Sequence, residues 1–258
     1  MSDSVEVQRY TAVALCSRIT AAGASEEEAS VLHECVLSLK VEGVPFLEIA
    51  CTPTYLEELV VGRLFSEGLI EGADEIASLA VDEEALTASV SLRSPRVPAR
   101  GGYVRHLATT GDVCTTVRFE VLESALASYP ATAVDVDELF ALSELFEEDT
   151  PLHALTSGTH SARVAVDGRV RGVFEDIGRH NALDKAVGWM LLRGVPGSRV
   201  TVFSSGRVPV DMARKAVRAR IGVLATKAAP TDQAIACAKR YGLRLVCLAK
   251  EGSMRVFA

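Results

Sequence analysis

The chain has 258 residues, 48% of them hydrophobic, which is enough for one large domain or two small ones with a substantial core. No run of 18 uninterrupted apolar residues occurs, the start Met1-Ser2-Asp3-Ser4-Val5-Glu6 is unlike a signal peptide, and six scattered cysteines form neither a disulfide framework nor a zinc motif. These features predict a cytoplasmic protein with no membrane span. The formal charge of −7 is unevenly spread, with 9 Lys/Arg against 20 Asp/Glu in residues 1–130 and 18 against 14 in residues 131–258. The basic half could hold an anion, but its excess is far from a nucleic-acid footprint.

In chain order, residues 7–22 read as a weak helix, and Ser25-x-x-Glu28 offers a capping box for a second. Residues 35–41 fit either the end of that helix or a strand. Glu42-Gly43 then turns into an extended run over 44–50. Thr54-x-x-Glu57 predicts a helix with Leu56, Leu59, Val60 and Leu64 on one side and Gly68 past its end. Leu86, Ala88, Val90 and Leu92 alternate as a strand, 93–102 is a loop, and Val117, Phe119 and Val121 alternate again. Residues 1–130 are thus a smaller α+β unit.

From about residue 131 strands and helices alternate. A helix is predicted around 138–146, and a hairpin from 162–166 and 169–174 turns at Asp167-Gly168. Strands over 199–203, 221–226 and 243–248 are each followed by a loop, at 204–207, 227–231 and 249–252. The first two of these loops lead into helices, one starting near Pro209 and one ending at Gly242. This rhythm predicts an α/β layer with a mostly parallel sheet.

The densest chemistry lies at residues 175–185, Glu-Asp-Ile-Gly-Arg-His-Asn-Ala-Leu-Asp-Lys. A strand leads in, and Leu183, Ala186, Val187, Met190 and Leu191 follow helical spacing, with Asn181 as the expected N-cap and Gly178 as the pivot. The plain reading is a capped turn with a surface Asp176–Arg179 ion pair. The functional one notes that each predicted strand ends in a cation: Arg179 and His180, then Arg207, Lys227 and Lys250. Ligands bind at the carboxyl edge of open α/β sheets, and helix N-termini there favour anions, so a pyrophosphate-bearing ligand is expected. His160, among small residues, joins this set. His33, His106 and His153 read as surface or structural. Cys114 is the one cysteine in a polar, glycine-containing stretch, open enough for an acceptor thiol but without an obvious base nearby.

The 175–185 run closely resembles the E-D-I-G-R-H-N-A-x-D-K signature of the FdhD family, the formate dehydrogenase accessory sulfurtransferases. Thr156 to Ala162, Ser205-Gly206-Arg207 with Lys215, Ala229-Pro230-Thr231 with Ala234, and Cys51-Thr52-Pro53 through Phe65-Ser66-Glu67-Gly68 resemble further family segments, covering roughly residues 34–258. The resemblance favours a strand for 35–41. It implies a cytidine-deaminase-like fold over 131–258 and a sulfurtransferase-type accessory protein acting as a cytoplasmic homodimer. Such a protein takes sulfur from a cysteine desulfurase as a persulfide. It passes the sulfur to the bis-molybdopterin guanine dinucleotide cofactor of a formate dehydrogenase. By this resemblance Cys114 is the carrier, and His160, Arg179, His180, Asn181, Ser205, Arg207 and Lys227 contact the cofactor. The guanine-nucleotide segment falls on Leu248, Ala249, Lys250, Glu251, Gly252 and Ser253, where Leu248 and Ser253 depart from the usual aromatic and basic residues. No metal is expected on protein side chains. Many members carry C-G-x-C on a mobile loop; here Gly111 stands at the first cysteine and Cys114 at the second. A cofactor-holding chaperone that moves no sulfur is therefore a second expectation. A zinc deaminase would need H-x-E and P-C-x-x-C, and neither occurs.

Overall fold

The computed structural model describes residues 10–95, 126–133, 135–146, 149–250 and 252–258, with Lys250 described by its backbone alone. Cys114, His106 and the alternating run at 117–121 lie outside the described residues.

The first departure from expectation is at the start. Residues predicted as two helices form an antiparallel ribbon, β1 (Thr11–Thr20) and β2 (Gly23–Leu32), in unbroken register from Thr11 opposite Leu32 to Thr20 opposite Gly23. Thr11, Val13, Ile19 and Thr20 are β-branched, and Val13, Leu15 and Ile19 alternate on one side. That pattern outweighs the helical tendency of Glu26-Glu27-Glu28, and Ser25 caps nothing.

β3 (Cys35–Val41) and β4 (Val44–Cys51) form a hairpin across Glu42 and Gly43, both at positive φ (51° and 74°), the geometry of a two-residue hairpin turn. β5 (Ile76–Asp82), which the sequence pattern did not single out, and β6 (Thr87–Leu92) complete a four-stranded sheet in the order β4-β3-β6-β5. Its helix α1 (Leu56–Ser66) starts one residue later than a Thr54 cap would place it, with Tyr55 at the cap position. Gly68 closes it as expected, its N–H on Phe65 O and that of Leu69 on Leu64 O.

The second half holds α2 (Val136–Leu145), capped by the Asp135 carboxylate, and a short α3 (Pro151–Thr156) that the sequence reading did not include. Then follow β7 (His160–Val166), β8 (Arg169–Asp176), α4 (Arg179–Leu192), β9 (Val200–Ser204), α5 (Val210–Arg218), β10 (Val223–Thr226), α6 (Asp232–Tyr241), β11 (Arg244–Lys250) and β12 (Ser253–Val256). The six strands run in the order β12-β11-β10-β9-β7-β8. The class is α/β with mixed sheets: β9, β10 and β11 are parallel at the centre, and β7, β8 and β12 are antiparallel flanks. The loop expected at 249–252 is shorter than predicted. β11 continues through Lys250, past a register shift after Cys247, and turns at Gly252 into β12.

The two sheets share a core through α1 and α4. Gly62 and Gly188 let these helices touch backbone to backbone: a Cβ on Gly188 would lie 1.9 Å from Glu58 O, and one on Gly62 would lie 1.8 Å from Asp184 O. Fully buried Leu59, Leu183, Ala186 and Val187 pack around the crossing. No helix among the described residues is long and apolar enough to cross a membrane.

Candidate functional site at the carboxyl edge of the large sheet

The 175–185 segment divides into a buried half and an accessible half. Asp176 and Lys185 are fully buried and paired, Nζ to Oδ2 at 2.7 Å, so the surface Asp176–Arg179 pair of the plain reading does not form. Asp176 also accepts from Thr52 N (3.2 Å), Gly178 N (3.0 Å) and Asn181 Nδ2 (2.9 Å). Lys185 Nζ donates to Thr52 O, Thr54 Oγ1 and Glu175 O, tying the loop after β4 to the end of β8. Asp184, on α4, gathers Ser66 Oγ (2.6 Å) and Arg63 Nη1 (3.3 Å) from α1 and Lys215 Nζ (2.6 Å) from α5. Burial pushes the Lys215 ammonium below its ordinary range, against the pull of Asp184. Glu175 accepts from the Leu152 and His153 N–H groups that open α3 and from the Thr150 and Thr159 hydroxyls. Most charges of the segment therefore hold the two layers together.

Two corrections follow at the turn. Asn181 is not the cap: α4 begins at Arg179, with Gly178 at the cap position and extended (φ −109°, ψ 126°), a conformation open to any residue. Asn181 is fully buried, its amide donating to Ala50 O and Asp176. It exposes no surface to a ligand.

The accessible half faces the edge where β8, β9, β10 and β11 end and β7 begins. His160 Nδ1 lies 3.1 Å from Ser205 Oγ, which also accepts from Ser161 N at 2.9 Å. Burial first, then the charges of Arg179, His153 and His180, hold the His160 imidazolium below the ordinary histidine range. Arg179 lies against Gly206, where an added Cβ would come within 2.8 Å of Arg179 Cδ. The Gly206 carbonyl accepts from Thr226 Oγ1 (2.7 Å), and Leu248 N donates to Ala228 O (3.1 Å), so successive strand-end loops are laced together. A cleft of about 410 Å³ opens here, walled by His153, His160, Ser205 and Lys227. The Lys227 ammonium and the Arg163 guanidinium each sit 5.1 Å from the centre of the Phe146 ring.

The structure thus brings His160, Ser205 and Lys227 into one cleft, with Arg179 beside them. Arg207 is exposed on the following loop. His180 is buried and turned to Asp211, Nε2 to Oδ2 at 2.6 Å. Burial raises the Asp211 carboxyl, but the His180 hydrogen bond and charge, together with the Met212 N–H and the Lys215 charge, offset this and leave it below the usual carboxylate range. In the 248–253 segment Leu248 is at positive φ (54°), Ala249 is fully buried, and Gly252 and Ser253 are exposed at the β11–β12 turn. The Lys250 side chain and Glu251 lie outside the described residues. Among the described residues, no group of three or more His, Cys, Asp or Glu is placed to hold a metal ion. His153, read from sequence as surface or structural, lines the cleft with Nδ1 2.9 Å from Thr159 O. An arginine inside the apolar run 162–166 was a usable signal for Arg163, whereas nothing local marked Asp211 as the partner of His180.

Because Arg179 is one cause of the depressed His160 titration, Arg179→Ala is expected to raise the His160 midpoint toward the ordinary value. A proton NMR titration of the imidazole checks this. An unmoved midpoint would show that the two groups do not share a field.

The FdhD/NarQ family profile matches residues 32–258. The chain belongs to this family. Relatives named sulfur carrier protein FdhD include one from Geobacillus kaustophilus, 32% identical over 90% of this chain and 89% of that protein. Another, from Halalkalibacterium halodurans, is 31% identical over 93% and 90%. A solved structure from Desulfotalea psychrophila, described as a formate dehydrogenase accessory protein, superposes with a TM-score of 0.79 at 25% identity, covering 96% of each chain. In this FdhD/NarQ member the matched region takes in both sheets and the cleft. Apart from Leu32, the β1–β2 ribbon precedes it.

Proposed function

We propose that this chain is a sulfur carrier for formate dehydrogenase. It takes sulfur from a cysteine desulfurase as a persulfide on Cys114 and passes it to the bis-molybdopterin guanine dinucleotide cofactor, its cargo, held along the strand-end edge. The reading includes a homodimer in the cytoplasm, as the family resemblance implies. The observation that carries it is the strand-end edge itself, the cations Arg179 and Lys227 gathered with the His160 ring beside Ser205 in a chain whose relatives are named sulfur carriers. A multiply charged pyrophosphate is the chemistry that suits such an edge. Arg207, and the 248–253 turn one loop further along, would extend the contact toward the guanine end.

Persulfide transfer needs an accessible thiolate. Burial pushes the thiols of Cys51 and Cys247 up to about 12, and Cys237 is also buried. The half-buried Cys35 thiol is raised by burial and by Glu34. Cys16 is exposed, but on the ribbon that precedes the family match. These thiols are poorly suited to the task, which supports Cys114. Gly111, in place of a first cysteine, favours a second reading, a chaperone that holds the cofactor and docks the enzyme without moving sulfur.

Intact-protein mass after incubation with a cysteine desulfurase and cysteine separates the two. One persulfide adds about 32 Da, and the gain is expected to vanish in Cys114→Ala and persist in Cys16→Ala. The reverse pattern would move the carrier to the ribbon, and no gain in the wild type would leave the chaperone reading.

A further inference from the structure

A second and larger cavity, about 880 Å³, lies on the other side of Thr150 and Arg163 from the cleft, sharing those residues and Asp149 as a common wall. Its floor is apolar and comes from separate elements. Tyr55 before α1 is 52% exposed, Leu145 at the end of α2 is 43% exposed and Val170 on β8 is 37% exposed, and Val81 and Val173 line the same cavity. The Tyr55 ring is fixed edge-on to Phe174, with centroids 5.0 Å apart, so part of this floor is rigid. The rim is acidic. Glu57 opens α1, Glu83 projects from the β5–β6 turn, and Asp149 stands at the shared wall, while the neighbouring Glu58 is half-buried and paired with Arg193 at 3.5 Å. The one cation lining it among the described residues, Arg163, is turned to Leu145 O and the Phe146 ring.

We infer that this groove docks a basic, amphipathic segment of a partner protein. Exposed apolar side chains with a polar rim mark an interaction surface, and a trough between helix ends and a sheet suits one apolar helix face. The rim carboxylates, Glu57 and Asp149 foremost, select Lys and Arg on the flanks of that helix and repel an acidic one. The nine residues ahead of Tyr10 carry Asp3 and Glu6 against Arg9 and do not match that charge pattern. Because the groove and the cleft share a wall, a segment seated in the groove brings its protein against the strand-end edge. The inference stands whether or not sulfur is carried, since it rests on the groove alone.

The test uses the full chain and two fluorescein-labelled helical peptides of about five turns, one of Leu and Lys and one of Leu and Glu. In fluorescence anisotropy the Leu/Lys peptide is expected to bind and the Leu/Glu peptide to show no binding. Glu57→Lys combined with Asp149→Lys, and separately Leu145→Asp, should each weaken binding about tenfold or more. Glu26→Lys with Glu28→Lys on the ribbon, which changes net charge equally, should leave it unchanged. Circular dichroism confirms that the variants fold. Equal weakening by the ribbon variant would show charge attraction without a site. Indifference to the groove variants, or no binding of the Leu/Lys peptide, would overturn the inference. A dimer in light scattering that Leu145→Asp dissociates would give the groove to a second copy instead.

Discussion

Lys185→Met is expected to lower the unfolding free energy by about 3–5 kcal/mol, the range for leaving one member of a buried ion pair alone. Lys185 is fully buried, and its ammonium lies within hydrogen-bond reach of Asp176 Oδ2 and of three further oxygens from two separate chain segments, which share its three protons. Without it, the Asp176 carboxylate keeps only neutral donors from Thr52, Gly178 and Asn181. Urea unfolding followed by circular dichroism measures the loss. Adding Asp176→Asn to Lys185→Met should restore part of it, because the stranded charge is then gone. A single-variant loss below about 1 kcal/mol would put this tie in the class of exposed ion pairs.

Gly188→Ala should be as damaging through sterics alone. Its Cβ would sit 1.9 Å from Glu58 O and 2.9 Å from Gly62 N, atoms of the facing helix backbone that have no rotamer to change. The helices must part by more than an ångström, opening the shared core around Leu59, Leu183 and Val187. Overpacking of a close-packed interior costs about 1–3 kcal/mol, and a backbone contact belongs at or above the top of that range. Thermal unfolding of Gly188→Ala and Gly62→Ala checks it. Unchanged melting in both would mean that α1 can slide over α4 at little cost. Since α4 starts at Arg179, either displacement also moves the accessible half of the candidate site.

Where the chain's local chemistry agrees with its long-range packing, the fold was legible. Both two-residue turns, at Glu42-Gly43 and Asp167-Gly168, stand where the residues placed them, and so do the alternating strands and helices from residue 200 onward. The ribbon was misread because three consecutive glutamates and an apparent capping box are helical features, whereas cross-strand pairing set the outcome. The brief α3 and β12 carry too few residues for a period to show. At the site, the cations at the strand ends could be anticipated from strand–loop–helix order, and His160, Ser205 and Lys227 do meet in one cleft. The buried duties of Asp176, Asp184 and Lys185 could not, because their partners are remote in sequence. Thr52 is 124 residues from Asp176, and Arg63 is 121 from Asp184. Periodicity carries no information over such a span.

The division of the 175–185 segment changes what a motif match can certify. Asp176, Asn181, Asp184 and Lys185 serve as joinery between two layers, and Glu175 braces α3, so a relative with no ligand at the strand-end edge would still need them to stay folded. Matching those letters in another genome therefore diagnoses the scaffold, while retained activity has to be judged elsewhere. The informative positions are the few that face outward, Arg179 at the turn and His160, Ser205 and Lys227 around the cleft, read together with the cysteine segment. If the proposed function holds, a survey that weighted those positions over the signature would separate chains that keep the cleft from look-alikes that the motif alone groups together.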